Sequence, residues 1–312
     1  MKIKTYFFLI FLLTNLVACQ SPAITSEDEG LPGTVTTPAV TSQPVGIPPS
    51  LEAQSPDRVT PLPFEIQTPA NAQGYDDLTI TILYDNQPYD PHLDTAWGYA
   101  AWVQAGEHNL LFDTGGNGDI LLNNMRAKKV NPTTIQRILI SHADGDHIDG
   151  LVPLLSTGVK PEVYLLSSFP DNFKHQVSNL ATLIEVRSGT SLGGEMYTTG
   201  ELGRNIPEQA LVIRTRRGLV VVTGCAHRGI VDIVEGIRDT YGEKVYLVMG
   251  GFHLEGKSEE EITAIIADFR RLGVEKVAPS HCTGGRAIVK FKDEYGEDFL
   301  MVGAGRVVTL DE

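Results

Sequence analysis

The chain has 312 residues, 42% of them apolar and 21% charged, with a formal net charge of −14. That apolar share supplies a sizeable core and excludes a chain disordered throughout. The acidic balance argues against nucleic acid as a partner and offers no electrostatic attraction to an anionic membrane surface.

Met1-Lys2-Ile3-Lys4 sets positive charge ahead of the apolar run from Tyr6 to Leu13, which is too short to span a bilayer. This is the layout of a secretory signal. Its end, Leu16-Val17-Ala18-Cys19, resembles a bacterial lipobox, so residues 1–18 are expected to be a signal peptide and Cys19 the lipidated residue of an exported protein anchored to the cell envelope. The membrane would be touched through that anchor only. An ordinary signal with a chance cysteine is the alternative. Residues 19–76 are dominated by Pro, Ser and Thr without apolar periodicity and read as a flexible linker ahead of a folded domain at 77–312.

Leu78 to Tyr84 alternates as a strand. Ala100 to Gln104 and Asn109 to Asp113 then read as a hairpin around Gly106-Glu107, followed by a helix from Asp119 to Ala127. Ile135 to Ser141 reads as a buried strand, Leu151 to Leu155 as a short helix and Glu162 to Leu166 as a strand, while residues 167–191 carry no clear pattern. Gln209 to Thr215 and Gly218 to Thr223 form a second hairpin across Arg216-Arg217, and Ile230 to Thr240 reads as a helix. Lys244 to Met249 is a strand, and Ser258 to Glu261 is a capping box opening a helix that runs to Leu272. Lys276 to Pro279 leads into His281, Arg286 to Tyr295 is helical, and strands are expected at Phe299 to Val302 and Arg306 to Leu310.

His142-Ala143-Asp144-Gly145-Asp146-His147 follows the apolar Ile138-Leu139-Ile140 directly, which puts four ligand-type side chains at the mouth of one buried strand. Two imidazoles and two carboxylates so close suit a divalent cation; the bland reading is an acidic loop with two solvated histidines. Each further histidine motif also follows an apolar strand, as expected of a site gathered along one edge of a sheet sandwich covered by helices. Besides Cys19 the chain holds only Cys225 and Cys282. A disulfide between them suits export, but each lies beside a histidine and a glycine, which suits a place near a metal equally. His92, His108 and His175 lie in unpatterned polar surroundings and read as solvated. Trp97-Gly98-Tyr99 suits a pocket rim, although core packing is the commoner use of such aromatics.

Phe112-Asp113-Thr114-Gly115 and His142 to His147 with Gly150 resemble the first two motifs of the metallo-β-lactamase fold superfamily, over roughly Asp77 to the C-terminus. Thr223-Gly224-Cys225-Ala226-His227-Arg228-Gly229, Gly250-Gly251-Phe252-His253 and Ser280-His281-Cys282-Thr283-Gly284 are similar to its dihydropterin-ribofuranosylaminobenzene-phosphate synthase-like branch. The resemblance implies an α/β fold, the four-layer αββα sandwich, and two divalent metal ions, Zn, Mn or Fe. His142, Asp144 and His227 would hold one ion and Asp146, His147 and His281 the other. Asp113 would orient ligands from behind, and Asp146 has the alternative role of proton acceptor. Two departures stand out. Asp144 replaces a signature histidine and hardens the site. Cys225 occupies the slot of a bridging aspartate, so either its thiolate or His227 is the ligand there. His253 is a candidate for substrate contact or leaving-group protonation.

These features imply a hydrolase that uses a metal-activated water on a small-molecule phosphoester, or on a small ester or lactone. β-Lactam hydrolysis is disfavoured by Asp144 and by the Gly-Cys-Ala-His segment, and a pterin-linked synthase role sits badly with export. A redox-active iron pair would need an electron carrier, and no flavin domain is visible. The non-enzymatic alternative is a tethered module that keeps the metal pocket to capture a ligand.

Overall fold

The computed structural model describes residues 74–311. The expected signal peptide, Cys19 and nearly all of the expected linker lie outside the described residues.

The chain opens with β1 (Thr79–Tyr84), β2 (Ala100–Ala105) and β3 (His108–Phe112), then α1 (Gly118–Ala127), β4 (Arg137–Leu139), and two short helices α2 (Gly145–Ile148) and α3 (Leu151–Ser156). β5 (Glu162–Leu166), α4 (Asp171–Ser178) and β6 (Thr182–Val186) follow. The second half holds β7 (Ser188–Ser191), β8 (Met196–Gly200), β9 (Leu211–Thr215), β10 (Gly218–Thr223), α5 (Ile230–Tyr241), β11 (Val245–Gly251) and α6 (Glu259–Leu272). β12 (Lys276–Ser280), a 3-10 turn at His281–Thr283, α7 (Gly285–Tyr295) and β13 (Val307–Thr309) complete it. Seven strands form one sheet in the order β13-β1-β2-β3-β4-β5-β6 and six form the other in the order β12-β11-β10-β9-β8-β7.

Alternation along the second sheet builds the layers. Val220 and Val222 of β10 join the core shared with the first sheet, whereas Leu219 and Val221 join a separate core with the helices. α5 buries Ile230, Ile233, Val234 and Ile237, one apolar stripe at helical spacing, and ends at Gly242 in the left-handed conformation. The expected capping box is present on α6: the Ser258 side chain accepts from the Glu261 N–H and the Glu261 carboxylate accepts from the Ser258 N–H. On the far side, Leu121 and Met125 of α1 pack into the core of the first sheet. This is the four-layer αββα sandwich. Among the described residues no helix is long and apolar enough to cross a membrane.

Three expectations need correction. The buried strand at Ile135 to Ser141 is only three residues long, because Ser141 N–H turns away from the sheet to donate to Asp113 Oδ1 at 2.6 Å. Phe299 to Val302 is not a strand: one bridge to Val277 forms before the chain crosses to the other sheet, where Ala304 N–H donates to Gln87 O at 2.8 Å. The unpatterned residues 167–191 contain α4, β6 and β7.

The topology fixes where the site lies. β3 and β4 run parallel, as do β10, β11 and β12, so the segments that leave their C-terminal ends gather along one edge of the sandwich. Those segments begin at Asp113, Ile140, Gly224, Phe252 and His281.

Candidate metal centre

Two triads of ligand-type atoms face each other across this edge. In the first, His142 Nε2 lies 3.4 Å from Asp144 Oδ2, and His227 Nε2 lies 3.3 Å from His142 Nε2 and 3.6 Å from Asp144 Oδ2. In the second, Asp146 Oδ2 lies 3.5 Å from His147 Nε2 and 3.3 Å from His281 Nε2. Bonds of about 2.0–2.1 Å to a tetrahedral ion put its ligand atoms roughly 3.3–3.4 Å apart. The observed edges therefore match a cation's first sphere closely. His281 Nε2 is buried without a hydrogen-bond partner despite its nearness to Asp146, and an orphaned nitrogen lone pair of this kind is what a metal satisfies. Residues present fit two divalent ions: His142, Asp144 and His227 for one, Asp146, His147 and His281 for the other.

Behind each buried imidazole stands a partner that fixes its tautomer. His147 Nδ1 lies 2.7 Å from Asp113 Oδ2, His142 Nδ1 lies 2.8 Å from Ser141 Oγ, and His281 Nδ1 lies 3.1 Å from Asn86 Oδ1. Ser141 Oγ in turn donates to Asp113 Oδ2 at 2.7 Å, so one buried carboxylate anchors two ligand histidines. Each Nδ1–H is thereby directed outward, assigned from this network, and each Nε2 lone pair points into the site. Gly224 is required by this arrangement, since a Cβ there would meet Ser141 Oγ at 2.1 Å.

The local electrostatics keep the donors ligand-ready. Burial opposes ionisation of Asp146, but the His281 and His147 imidazoles beside it outweigh burial and hold its carboxyl well below the usual range. The contact with His142 lowers Asp144 against a smaller burial effect. Burial, reinforced by the charges of His142 and His253, brings His227 down to about 4, so its imidazole is neutral at physiological pH. His253 goes the other way: its hydrogen bond to Cys282 raises it above the ordinary imidazole range, outweighing burial.

Cys225 and Cys282 are both buried and free, so the disulfide alternative does not hold. Cys225 Sγ lies 3.4 Å from His147 Nε2, at the floor of the centre, while His227 reaches the first triad. Its hydrogen bond with Cys282 and its burial push the Cys225 thiol up, and the same bond draws Cys282 down against the effect of burial. His253 is exposed, with its ring 4.4 Å from that of His227. Trp97, 52% exposed, lies with its ring 4.9 Å from that of His281 and so belongs to the rim, whereas Tyr99 is core. His92 is exposed as expected, His108 stacks edge-on against Tyr75, and His175 lies on α4.

Strain concentrates here. Among the described residues five non-glycine residues have φ in the left-handed region, and four of them, Asp113 (56°), Ala226 (62°), His253 (52°) and His281 (49°), hold or adjoin the site. Such positions cost about 1–3 kcal/mol each and persist where the surroundings fix them. Sequence reasoning missed three residues that do this fixing: Ser141, Asn86 and Glu208. The buried Glu208 accepts from Arg228 N–H at 2.7 Å and so braces the Cys-Ala-His turn; burial raises its carboxyl. No ligand-type spacing marks any of the three. A cleft of about 330 Å³ opens beside the centre, lined by His227, Arg228, His253, Lys257 and the apolar Phe252 and Ile265.

Residues 98–281 match the family model of the metallo-beta-lactamase superfamily. The chain is 30% identical over 245 residues to a 7,8-dihydropterin-6-methyl-4-(beta-D-ribofuranosyl)-aminobenzene-5'-phosphate synthase of Methanocaldococcus jannaschii, covering 64% of this chain and 83% of that protein. Among solved structures it is similar to a metal-dependent hydrolase of the β-lactamase superfamily, with 32% identity, a TM-score of 0.64, and coverage of 74% of this chain and 98% of that one. The short form of human tRNase Z shares the fold, at 14% identity and a TM-score of 0.52 over 74% of this chain and 98% of its own. With signature, sandwich and ligand geometry in agreement with these matches, the chain belongs to the metallo-β-lactamase superfamily.

Proposed function

We propose that this protein is a metal-dependent hydrolase of small phosphoesters, exported and held at the cell envelope by a lipid on Cys19. The observation that carries the catalytic part is the pair of triads whose Nε2 and carboxylate atoms stand 3.3–3.6 Å apart while each buried histidine is held from behind. Divalent ions bound there supply Lewis acidity and a water acidified toward neutrality. The chain's own residues do the rest. Asp146, kept ionised, is placed to accept a proton on the carboxylate oxygen that an ion would leave free. His253, exposed at the rim and raised by Cys282, is the proton donor to a leaving oxygen.

Phosphoesters are favoured over lactones and carboxylic esters on two grounds. Asp144 makes the ligand set harder than imidazole would, which suits Mn or Fe, with Zn still accommodated. The cleft beside His253 carries Arg228 and Lys257 against the single carboxylate of Asp232, with Lys257 also paired to Glu261, a balance that is less acidic than a chain of net charge −14 would give and that suits an anionic substrate. A relative named for a 5'-phosphate product supports the same substrate class. The anchoring part rests on the signal-like residues ahead of Cys19.

The test is elemental analysis of the purified chain together with hydrolysis of a p-nitrophenyl phosphodiester, monoester and carboxylic ester under added Mn or Zn. About two metals per chain and phosphoester turnover abolished by Asp146→Asn are expected. A metal-free chain with no metal-dependent turnover would leave a tethered binding module instead. Cleavage of the carboxylic ester alone would move the substrate class.

A further inference from the structure

We propose that Cys225, His253 and Cys282 form a third cation site, chemically distinct from the two His/Asp triads and selective for thiophilic d10 cations of the Cu(I) and Zn(II) kind. Their ligand atoms all lie within 4.8 Å of one another, and none of the three is needed by either triad. Cys225 also approaches His142 and His147, but the Nε2 atoms of those residues already serve Asp144 and Asp146. Cys282 and His253 have no such competing use.

The backbone is shaped around this group. His253 itself, Ala226 after Cys225 and His281 before Cys282 are all held at positive φ, each at a cost that a merely packed thiol pair does not call for. Gly251 leaves the space the thiol occupies: a Cβ there would stand 2.7 Å from Cys282 Sγ. Both cysteines are buried and neither is oxidised, while His253 is exposed, so the site is closed by sulfur below and open to solvent at the imidazole.

Donor softness separates the sites. Two sulfurs and one imidazole favour a soft cation, whereas an Asp and two imidazoles in each triad accept harder ones. Occupation takes the lone pair of His253, so a thiophilic cation would also silence the proton donor; that consequence rests on the hydrolase reading, and the site does not.

The probe is Cd2+, titrated into the full chain carrying Cys19→Ser, so that Cys225 and Cys282 are the only thiols, after loading with Mn2+. An ultraviolet thiolate-to-cadmium charge-transfer band saturating at about one Cd per chain, with Mn retained, is expected. Adding Cys282→Ser should at least halve the band and weaken Cd2+ binding about 100-fold, and His253→Asn should keep the band and weaken binding about tenfold. The same dependence is expected on metal-free chain, and the band is read without turnover, so failure of the hydrolase reading leaves this test intact. A missing band, a band unchanged by Cys282→Ser, or a band that grows only as Mn leaves would overturn the site. If Cys282→Ser does not fold, His253→Asn decides: unchanged Cd2+ affinity overturns the proposal.

Discussion

Asn86 lies 195 positions from His281 and yet holds it twice, with Oδ1 at Nδ1 (3.1 Å) and Nδ2 donating to the backbone carbonyl at 3.3 Å. Removing such a partner frees the ring to turn and leaves its tautomer unfixed. Asn86→Ala should therefore weaken metal binding about 10–100-fold with an unchanged circular dichroism spectrum; an unchanged metal affinity would show that packing alone orients His281. The neighbouring Asp85 is fully buried, with Oδ1 accepting from Gln87 N–H and Oδ2 unsatisfied. Burial raises its carboxyl to about 6 from 3.8. Because the folded pKa is the higher one, the folded chain keeps this proton where the unfolded chain has lost it, and stability falls as pH rises from about 4 through about 6. The full cost above that window is about 3 kcal/mol. Asp85→Asn should thus stabilise the metal-free chain at pH 8 and have little effect at pH 4, as read by chemical denaturation at both values. Equal effects at the two pH values would place the proton elsewhere.

At the scale of elements, the helices and the site loops answer to different rules. α6 is held by local chemistry, so Ser258→Ala should cost about 1 kcal/mol and leave metal binding untouched. The turn after β10 is held by tertiary fit. Gly224→Ala drives a Cβ into Ser141 Oγ and toward Asp113 Oδ2 at 3.0 Å, so a destabilisation of about 1–3 kcal/mol should come with loss of metal. Thermal melts with and without Mn distinguish the two variants. This division also explains what could be read from the chain alone. β1, α5 and α6 were legible because alternation, an apolar stripe and a capping box are local. α4 buries only Val177, and β7 buries nothing, so neither carried a pattern. β4 was shortened by a side-chain acceptor 28 residues away. In the site, the His and Asp residues stood out because two imidazoles and two carboxylates fall within six residues after one apolar strand. Asn86, Ser141 and Glu208 act through other residues, and a lone Asn, Ser or Glu has many ordinary uses.

For the molecule as a whole, the candidate ligands come from both sheets. His142, Asp144, Asp146 and His147 follow β4 of the first, while His227 and His281 follow β10 and β12 of the second. Each triad thus draws on both sheets, and bound ions would act as cross-links between the two halves of the sandwich. An ion that binds only the folded chain, at a free concentration about a thousand times its Kd, adds about 4 kcal/mol to stability. For a folded region of this size that corresponds to a Tm roughly 10 °C higher. Chelation removes two such ions and should therefore lower the Tm by about twice that amount, and re-addition of Mn or Zn should restore it. The effect should shrink as pH falls, because the imidazole ligands must be deprotonated to bind. His281→Ala and His227→Ala each remove the second sheet's only contribution to one triad. If cross-linking is the source of the stabilisation, either variant should lose about half of the metal-dependent rise in Tm while keeping the Tm of the chelated protein. A metal-dependent rise left intact by both variants would mean that the ions stabilise the His142 to His147 loop alone.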